Sequence, residues 1–128
     1  MYSPEVLDHF QSPRNVGEIT DADAVGEAGN PINGNNMTLY LKIDSERITD
    51  ARFRTFGCAA SIAASSKLTE IIIGQTLEDA QQIRNDTVAE ALGGLPPTKM
   101  HCSAMAADGI HAAIADYRRR NKIDGLLD

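Results

Sequence analysis

The chain has 128 residues, enough for a hydrophobic core, and we expect residues 1–128 to form a single domain. A formal net charge of −6 argues against broad nucleic-acid binding. No apolar run approaches the roughly 20 residues of a membrane span, and the first residues lack the basic and apolar regions of a signal peptide. The expected location is therefore the cytoplasm, where disulfides rarely persist.

The N-terminal half predicts one short helix and a small sheet. Pro4 suits the first turn of a helix, and its expected apolar face carries Val6, Leu7 and Phe10. His9 is expected to be an ordinary helix-face residue. Residues 20–36 are polar and rich in glycine, which predicts a loop with at most one weak strand. Alternating apolar residues then predict two strands that pair as an antiparallel hairpin, at residues 39–43 and 48–56.

The C-terminal half predicts helices. Residues 59–73 are rich in Ala and Ile, and Gly74 is a suitable stop. Thr76 and Thr87 each precede an acidic residue by three positions, which is typical of a helix start. The last helix is expected to begin near Ser103. Its apolar stripe comprises Ala106, Ile110, Ala113, Ile114 and Tyr117. A small antiparallel sheet followed by helices is an α+β pattern.

The chain has two cysteines, Cys58 and Cys102, and both stand where a predicted helix begins. The positive end of a helix dipole favours the thiolate, the form that binds metals and attacks sulfur. His101 precedes Cys102 and adds a nitrogen donor. These three side chains are candidates for one metal site, which a fourth ligand would make tetrahedral. The alternative for either cysteine is a buried, inert side chain.

Several short segments, in this order along the chain, resemble the IscU/NifU-type iron–sulfur cluster assembly scaffolds. They are residues 7–10, 13–17, 29–31, 50–53, 55–59, 94–97, 99–103 and 115–117. The resemblance implies an antiparallel sheet of about three strands with helices packed on one face. It also implies a scaffold or carrier rather than an enzyme, which accepts persulfide sulfur from a cysteine desulfurase. Such a carrier holds iron or a 2Fe-2S cluster, and its partners include apo iron–sulfur client proteins.

The ligand set departs from the family pattern of three cysteines, a histidine and an aspartate. Cys58, Cys102 and His101 match that pattern, whereas Asn33 and Asn35 stand in place of the remaining cysteine and the aspartate. A neutral amide binds soft metal centres poorly, so both asparagines are doubtful ligands. Cys102 is the expected persulfide acceptor, as a thiolate of low pKa beside His101. Because a 2Fe-2S cluster usually requires four cysteines, we expect any cluster to bridge a homodimer.

Two other functions fit the same residues. One is a sulfur-relay protein that passes persulfide onward without building a cluster. The other is a zinc-bound regulatory or structural module, with Cys58, His101 and Cys102 as ligands and water or Asn35 completing the site. The resemblance also makes one segment a candidate for binding a DnaK-type chaperone, although it could simply be a stiff connector. That segment consists of Leu95, Pro96, Pro97, Thr98 and Lys99.

Overall fold

The structure is a computed structural model that describes residues 2–30, 32 and 34–121. The helices are α1 (Pro4–Gln11), α2 (Ala59–Ile72), α3 (Leu77–Gln81), α4 (Asn85–Ala91) and α5 (Met100–Arg120). The strands are β1 (Ala24–Asn30), β2 (Asn35–Asp44) and β3 (Arg47–Phe56), and a 3-10 turn (Pro97–Lys99) precedes α5. This is the predicted α+β architecture. Within the described residues, no helix combines the length and apolar character needed to cross a membrane.

The sheet is antiparallel in the order β1-β2-β3, and the predicted hairpin is confirmed. Leu39 lies opposite Phe53 and Leu41 opposite Ala51 on the buried face. For residues 20–36 the sequence predicted a loop with at most one weak strand. The structure instead has a full strand at Ala24–Asn30, which pairs with β2. Its small residues have low strand propensity on their own, and tertiary packing makes them a strand.

Helices α2 and α5 cover the buried face of the sheet. Helix α5 packs on β1 and β2, helix α2 packs on β3, and the two helices contact each other. Helix α2 begins three residues after β3 ends, and Phe56 at that end lies opposite Asn36 near the start of β2. The beginnings of β2 and α2, with the candidate ligands Asn35 and Cys58, therefore lie at one end of the sheet.

The buried face of α1 differs from the prediction. Val6 and His9 are buried, whereas Leu7 and Phe10 are 43% and 42% exposed. The His9 ring hydrogen-bonds through Nδ1 with Ser66 Oγ at 2.7 Å, and its Nε2 lies 3.3 Å from the Glu70 carboxylate. Both partners belong to α2, so His9 connects α1 to α2 through polar contacts and is not an ordinary helix-face residue.

Two predicted helix starts also lie too late in the chain, since the N-cap of α4 is Arg84 and that of α5 is Lys99. Thr87 lies inside α4, where its hydroxyl accepts a hydrogen bond from the Arg84 backbone amide at 3.1 Å. Ser103 lies inside α5, where its hydroxyl donates to the Met100 carbonyl at 2.9 Å. The 3-10 turn leads directly into α5, so the helix begins before the predicted cap. His101 and Cys102 therefore lie in the first turn of α5 and not in the preceding loop.

Candidate functional site

The two cysteines lie next to each other although they are far apart in the sequence. Cys58 is the N-cap residue of α2, and Cys102 lies in the first turn of α5. Their Sγ atoms are 3.8 Å apart, and both thiols are free. The packing of α2 against α5 thus creates a thiol pair at one end of the sheet.

Ser61 connects the two sulfurs. Its hydroxyl donates to Cys102 Sγ at 3.3 Å and lies 3.6 Å from Cys58 Sγ. No sequence pattern singled out this residue. The available signal was its position three residues after the N-cap, where side chains and backbone amides turn back toward the cap.

Hydrogen bonds make Cys58 the more acidic thiol. Partial burial opposes ionisation, but the Ser61 amide and hydroxyl, the Cys102 thiol and the Ala60 amide together outweigh it and lower the pKa of Cys58 to about 7. A substantial share of Cys58 is therefore thiolate at neutral pH, the form that binds metal ions or attacks sulfur.

Cys102 behaves in the opposite way. It is fully buried, and this burial raises the pKa of its thiol, with a further increase from the neighbouring Cys58. The expectation that Cys102 is a thiolate of low pKa beside His101 is therefore wrong. Burial in the core between α2 and α5 outweighs the position near a helix N-terminus, because a charged sulfur loses its hydration there.

Asn35 holds Cys58 and His101 in place. The buried Asn35 side chain accepts a hydrogen bond from the Cys58 backbone amide at 3.3 Å, and its Nδ2 lies 3.3 Å from His101 Nε2. Since the amide nitrogen can only donate, His101 Nε2 is the acceptor and the ring proton belongs on Nδ1. A Cβ at Gly57 would lie 2.2 Å from Asn35 Oδ1, so only glycine permits this approach.

The structure thus brings together four of the five predicted ligand candidates. Cys58 and Cys102 are in contact, and Asn35 links Cys58 to the exposed His101. Asn33 lies outside the described residues. Across residues 2–30, 32 and 34–121, no cluster of three or more His, Cys, Asp or Glu side chains is close enough to hold a metal ion as it stands.

The segment proposed for chaperone binding borders the site. Its Pro97, Thr98 and Lys99 form the 3-10 turn before α5, and Pro97 and Thr98 are exposed. Leu95 and Pro96 are half-buried, and Leu95 packs against the core. The segment therefore leads directly into α5 and presents an accessible surface at Pro97 and Thr98.

We predict that the alkylation rate of Cys58 reaches half of its maximum near pH 7. We expect Ser61→Ala to shift this midpoint to a higher pH. The substitution removes one of the hydrogen bonds that stabilise the thiolate. Iodoacetamide labelling rates between pH 5 and 10 (about the useful range for a thiol), read by peptide mass spectrometry, give the midpoint. The buried Cys102 is the internal reference and should react more slowly throughout. An unshifted midpoint near 8.5, about that of an ordinary thiol, would contradict this assignment.

Comparison with known proteins places the whole chain among one set of relatives. The family described as the NifU-like N terminal domain matches residues 1–124. The chain is 60% identical over 129 residues to the iron-sulfur cluster assembly scaffold protein IscU 1 of Archaeoglobus fulgidus, covering 100% of this chain and 84% of the relative. It is 46% identical over 125 residues to the scaffold protein IscU of Escherichia coli, covering 94% and 97%.

The fold agrees with a solved structure of similar description. The crystal structure of a nitrogen-fixing NifU-like protein (N-terminal) from Brucella abortus superimposes with a TM-score of 0.76, covering 92% of this chain and 94% of that one. At 18% identity this likeness concerns the fold alone. It agrees with the three-stranded antiparallel sheet and its helical cover.

Proposed function

Because this chain belongs to the NifU-like N-terminal domain family, we propose that it is a scaffold for iron–sulfur cluster assembly. In this role it accepts sulfur from a cysteine desulfurase, holds iron or a 2Fe-2S cluster as cargo, and passes it to apo client proteins. It is a carrier rather than an enzyme. The scaffold names of relatives at 60% and 46% identity support this role.

The observation that carries the proposal is the thiol pair. Two sulfurs bound at about 2.3 Å to one tetrahedral metal ion lie about 3.8 Å apart. The Sγ atoms of Cys58 and Cys102 have that separation, at 3.8 Å. The lowered pKa of Cys58 adds a ready thiolate to the pair. This separation supports the assignment of both thiols as metal ligands.

The altered ligand set determines how the remaining positions are filled. We assign His101 as the third ligand, released from Asn35 when metal binds. Asn35 itself is engaged with the Cys58 backbone amide, which favours a positioning role over coordination. Asn33 is a poor ligand by its chemistry, since a neutral carboxamide oxygen is a hard donor.

We assign Cys58 as the thiol that first receives sulfur. Cys102 was the candidate from the sequence, but it is fully buried, whereas Cys58 is only partly buried. A donor on another protein can reach the outer thiol without opening the contact between α2 and α5. The lower pKa of Cys58 favours the same order.

Anaerobic reconstitution tests the proposed function against its alternatives. The protein is incubated with ferrous iron, zinc, cysteine and a cysteine desulfurase, and bound iron, zinc, acid-labile sulfide and persulfide are then quantified. A scaffold retains both in equal amounts. Persulfide without iron would favour the sulfur relay, and zinc retained in place of iron and sulfide would favour the zinc module.

Any cluster is expected to bridge two chains. Each chain offers two cysteines, and a two-fold dimer supplies the four thiolates that a 2Fe-2S cluster usually needs. Dimer and cluster are then linked by mass action, so dilution should release iron. Native mass spectrometry of the reconstituted protein measures this directly. A monomer that keeps an intact cluster at low concentration would rule out the bridged arrangement.

Restoring a third thiol should strengthen cluster retention. We expect Asn33→Cys to hold more 2Fe-2S per chain than the parent after the same reconstitution, because a thiolate replaces a neutral amide in the ligand set. Visible absorption and iron content after gel filtration provide the measurement. Asn33→Ser serves as the control, since it changes the same position without adding a thiol. Equal retention in Asn33→Cys and the parent would place residue 33 away from the metal.

A DnaK-type chaperone is a further proposed partner. The exposed Pro97 and Thr98 in the segment 95–99 support it. A peptide of this segment should compete with the whole protein for the chaperone if the segment is the binding site.

A further inference from the structure

The two thiols form an outer and an inner member of one pair. Cys58 is partly buried at the start of α2, and Cys102 lies behind it, fully buried. Their sulfurs are 3.8 Å apart, and the chain has no other cysteine. A sulfur atom delivered from outside reaches Cys58 first, and the thiol beside it is then Cys102.

We propose that Cys102 resolves a persulfide formed on Cys58, so that the thiol pair releases inorganic sulfide without an external electron donor. The inference rests on the proposed function only in taking desulfurase-derived sulfur as its starting point. It assigns the pair a chemical task beyond holding metal, namely the reduction of sulfane sulfur to sulfide.

The reaction balances within the chain and its sulfur cargo. Cys102 Sγ attacks Cys58 Sγ, and a disulfide bond forms between the two cysteines. The bond from Cys58 Sγ to the terminal sulfur breaks, and the terminal sulfur leaves with that electron pair and the proton of the Cys102 thiol. The products are a Cys58–Cys102 disulfide and hydrogen sulfide. The sulfane sulfur gains two electrons, which the two thiols supply as they become a disulfide.

The geometry favours this step over loss of the persulfide to solvent. The two sulfurs are already in contact at 3.8 Å, and a disulfide needs them to approach to about 2.05 Å. The Ser61 hydroxyl lies 3.3 Å from Cys102 Sγ and 3.6 Å from Cys58 Sγ, so it positions both sulfurs and offers a path for the proton.

The cysteine count gives the reaction a clear end point. With no third thiol in the chain, nothing within it can reopen the disulfide by exchange. Another turnover requires an external dithiol reductant. The same disulfide cannot bind metal as a thiolate pair, so sulfide release and metal binding must follow one another on a given chain.

The test uses the full chain, reduced and anaerobic, with two sulfur donors in parallel arms. One arm contains a cysteine desulfurase loaded with persulfide and freed of excess cysteine, and the other contains one equivalent of a small alkyl persulfide. Free sulfide is quantified, and intact mass with peptide mapping locates the sulfur and any disulfide. A sample without donor controls for stray oxidation. Circular dichroism checks that Cys58→Ala, Cys102→Ala and Cys102→Ser remain folded.

We expect the parent to release one sulfide per chain and to end as the Cys58–Cys102 disulfide. Both Cys102 variants should keep a persulfide on Cys58 and release sulfide at least about 10-fold more slowly. Cys58→Ala should take up little sulfur. Parent protein that keeps a stable persulfide beside a free Cys102 overturns the inference. So do Cys102 variants that release sulfide at the parental rate, efficient loading of Cys58→Ala, and failure of both donors to modify Cys58. If only the desulfurase fails, the proposed partner is wrong and the inference stands.

Discussion

Replacing either cysteine is expected to weaken zinc binding by about 100-fold or more, because each substitution removes one of two thiolate ligands from a metal site. Cys58→Ser and Cys102→Ser keep the approximate side-chain volume while removing the soft donor. Anaerobic competition with a chromophoric chelator at neutral pH measures the affinity. His101→Ala should have a smaller effect, since the His101 ring is exposed and its Nε2 is engaged with the Asn35 amide at 3.3 Å.

The matched control for this experiment is Asn33→Ala. It removes a neutral amide that is a poor ligand for a soft metal, so zinc affinity should change by less than about 3-fold. If Asn33→Ala weakens binding as strongly as Cys58→Ser, the ligand assignment is wrong. If Asn35→Ala matches Cys58→Ser, Asn35 coordinates the metal and does not merely hold the Cys58 amide.

The sequence was sufficient for those features that depend on local periodicity. Alternation through residues 39–43 and 48–56 predicted the β2–β3 hairpin, because one side of that ribbon faces the core. The strand β1 was largely missed, since its Ala and Gly residues resemble a loop when read alone. Its identity as a strand depends on contact with β2 and α5, and this information lies elsewhere in the chain.

In the candidate site, too, residue types were predicted from the sequence, whereas properties that depend on tertiary packing were not. The types of Cys58, His101 and Cys102 marked them as candidates, and the contact of the two thiols agrees with that expectation. Helix position did not predict which of the two thiols has the lower pKa, because the difference depends on burial between α2 and α5. Ser61 went unrecognised for a similar reason, as an alcohol in a helix carries no signal until its two sulfur neighbours are known.

The close contact between β1 and α5 leads to the second large expected effect. Gly26 lies on the buried face of β1 opposite Leu39. A Cβ there would lie 2.4 Å from the Ala113 amide nitrogen and 2.5 Å from the Gly109 carbonyl oxygen. Both contacts are with the backbone of α5, which cannot move aside by rotating a side chain. We therefore expect Gly26→Ala to lower the free energy of unfolding by about 3 kcal/mol or more, measured by urea denaturation.

Gly109→Ala tests whether the backbone clash is the cause. Its Cβ would meet Met37 Sδ at 2.9 Å, the flexible end of a side chain, and alanine is the better helix former. The net change should stay within about 1 kcal/mol.

Because α5 carries Cys102, displacement of this helix by Gly26→Ala should also separate the two thiols and weaken zinc binding in the fraction that remains folded. A Gly26→Ala protein with parental stability would show that β1 and α5 are not packed as closely as the structure places them. Parental stability with lost zinc affinity would instead mean that the helix shifts without cost to the core, and the thiol pair alone depends on its position.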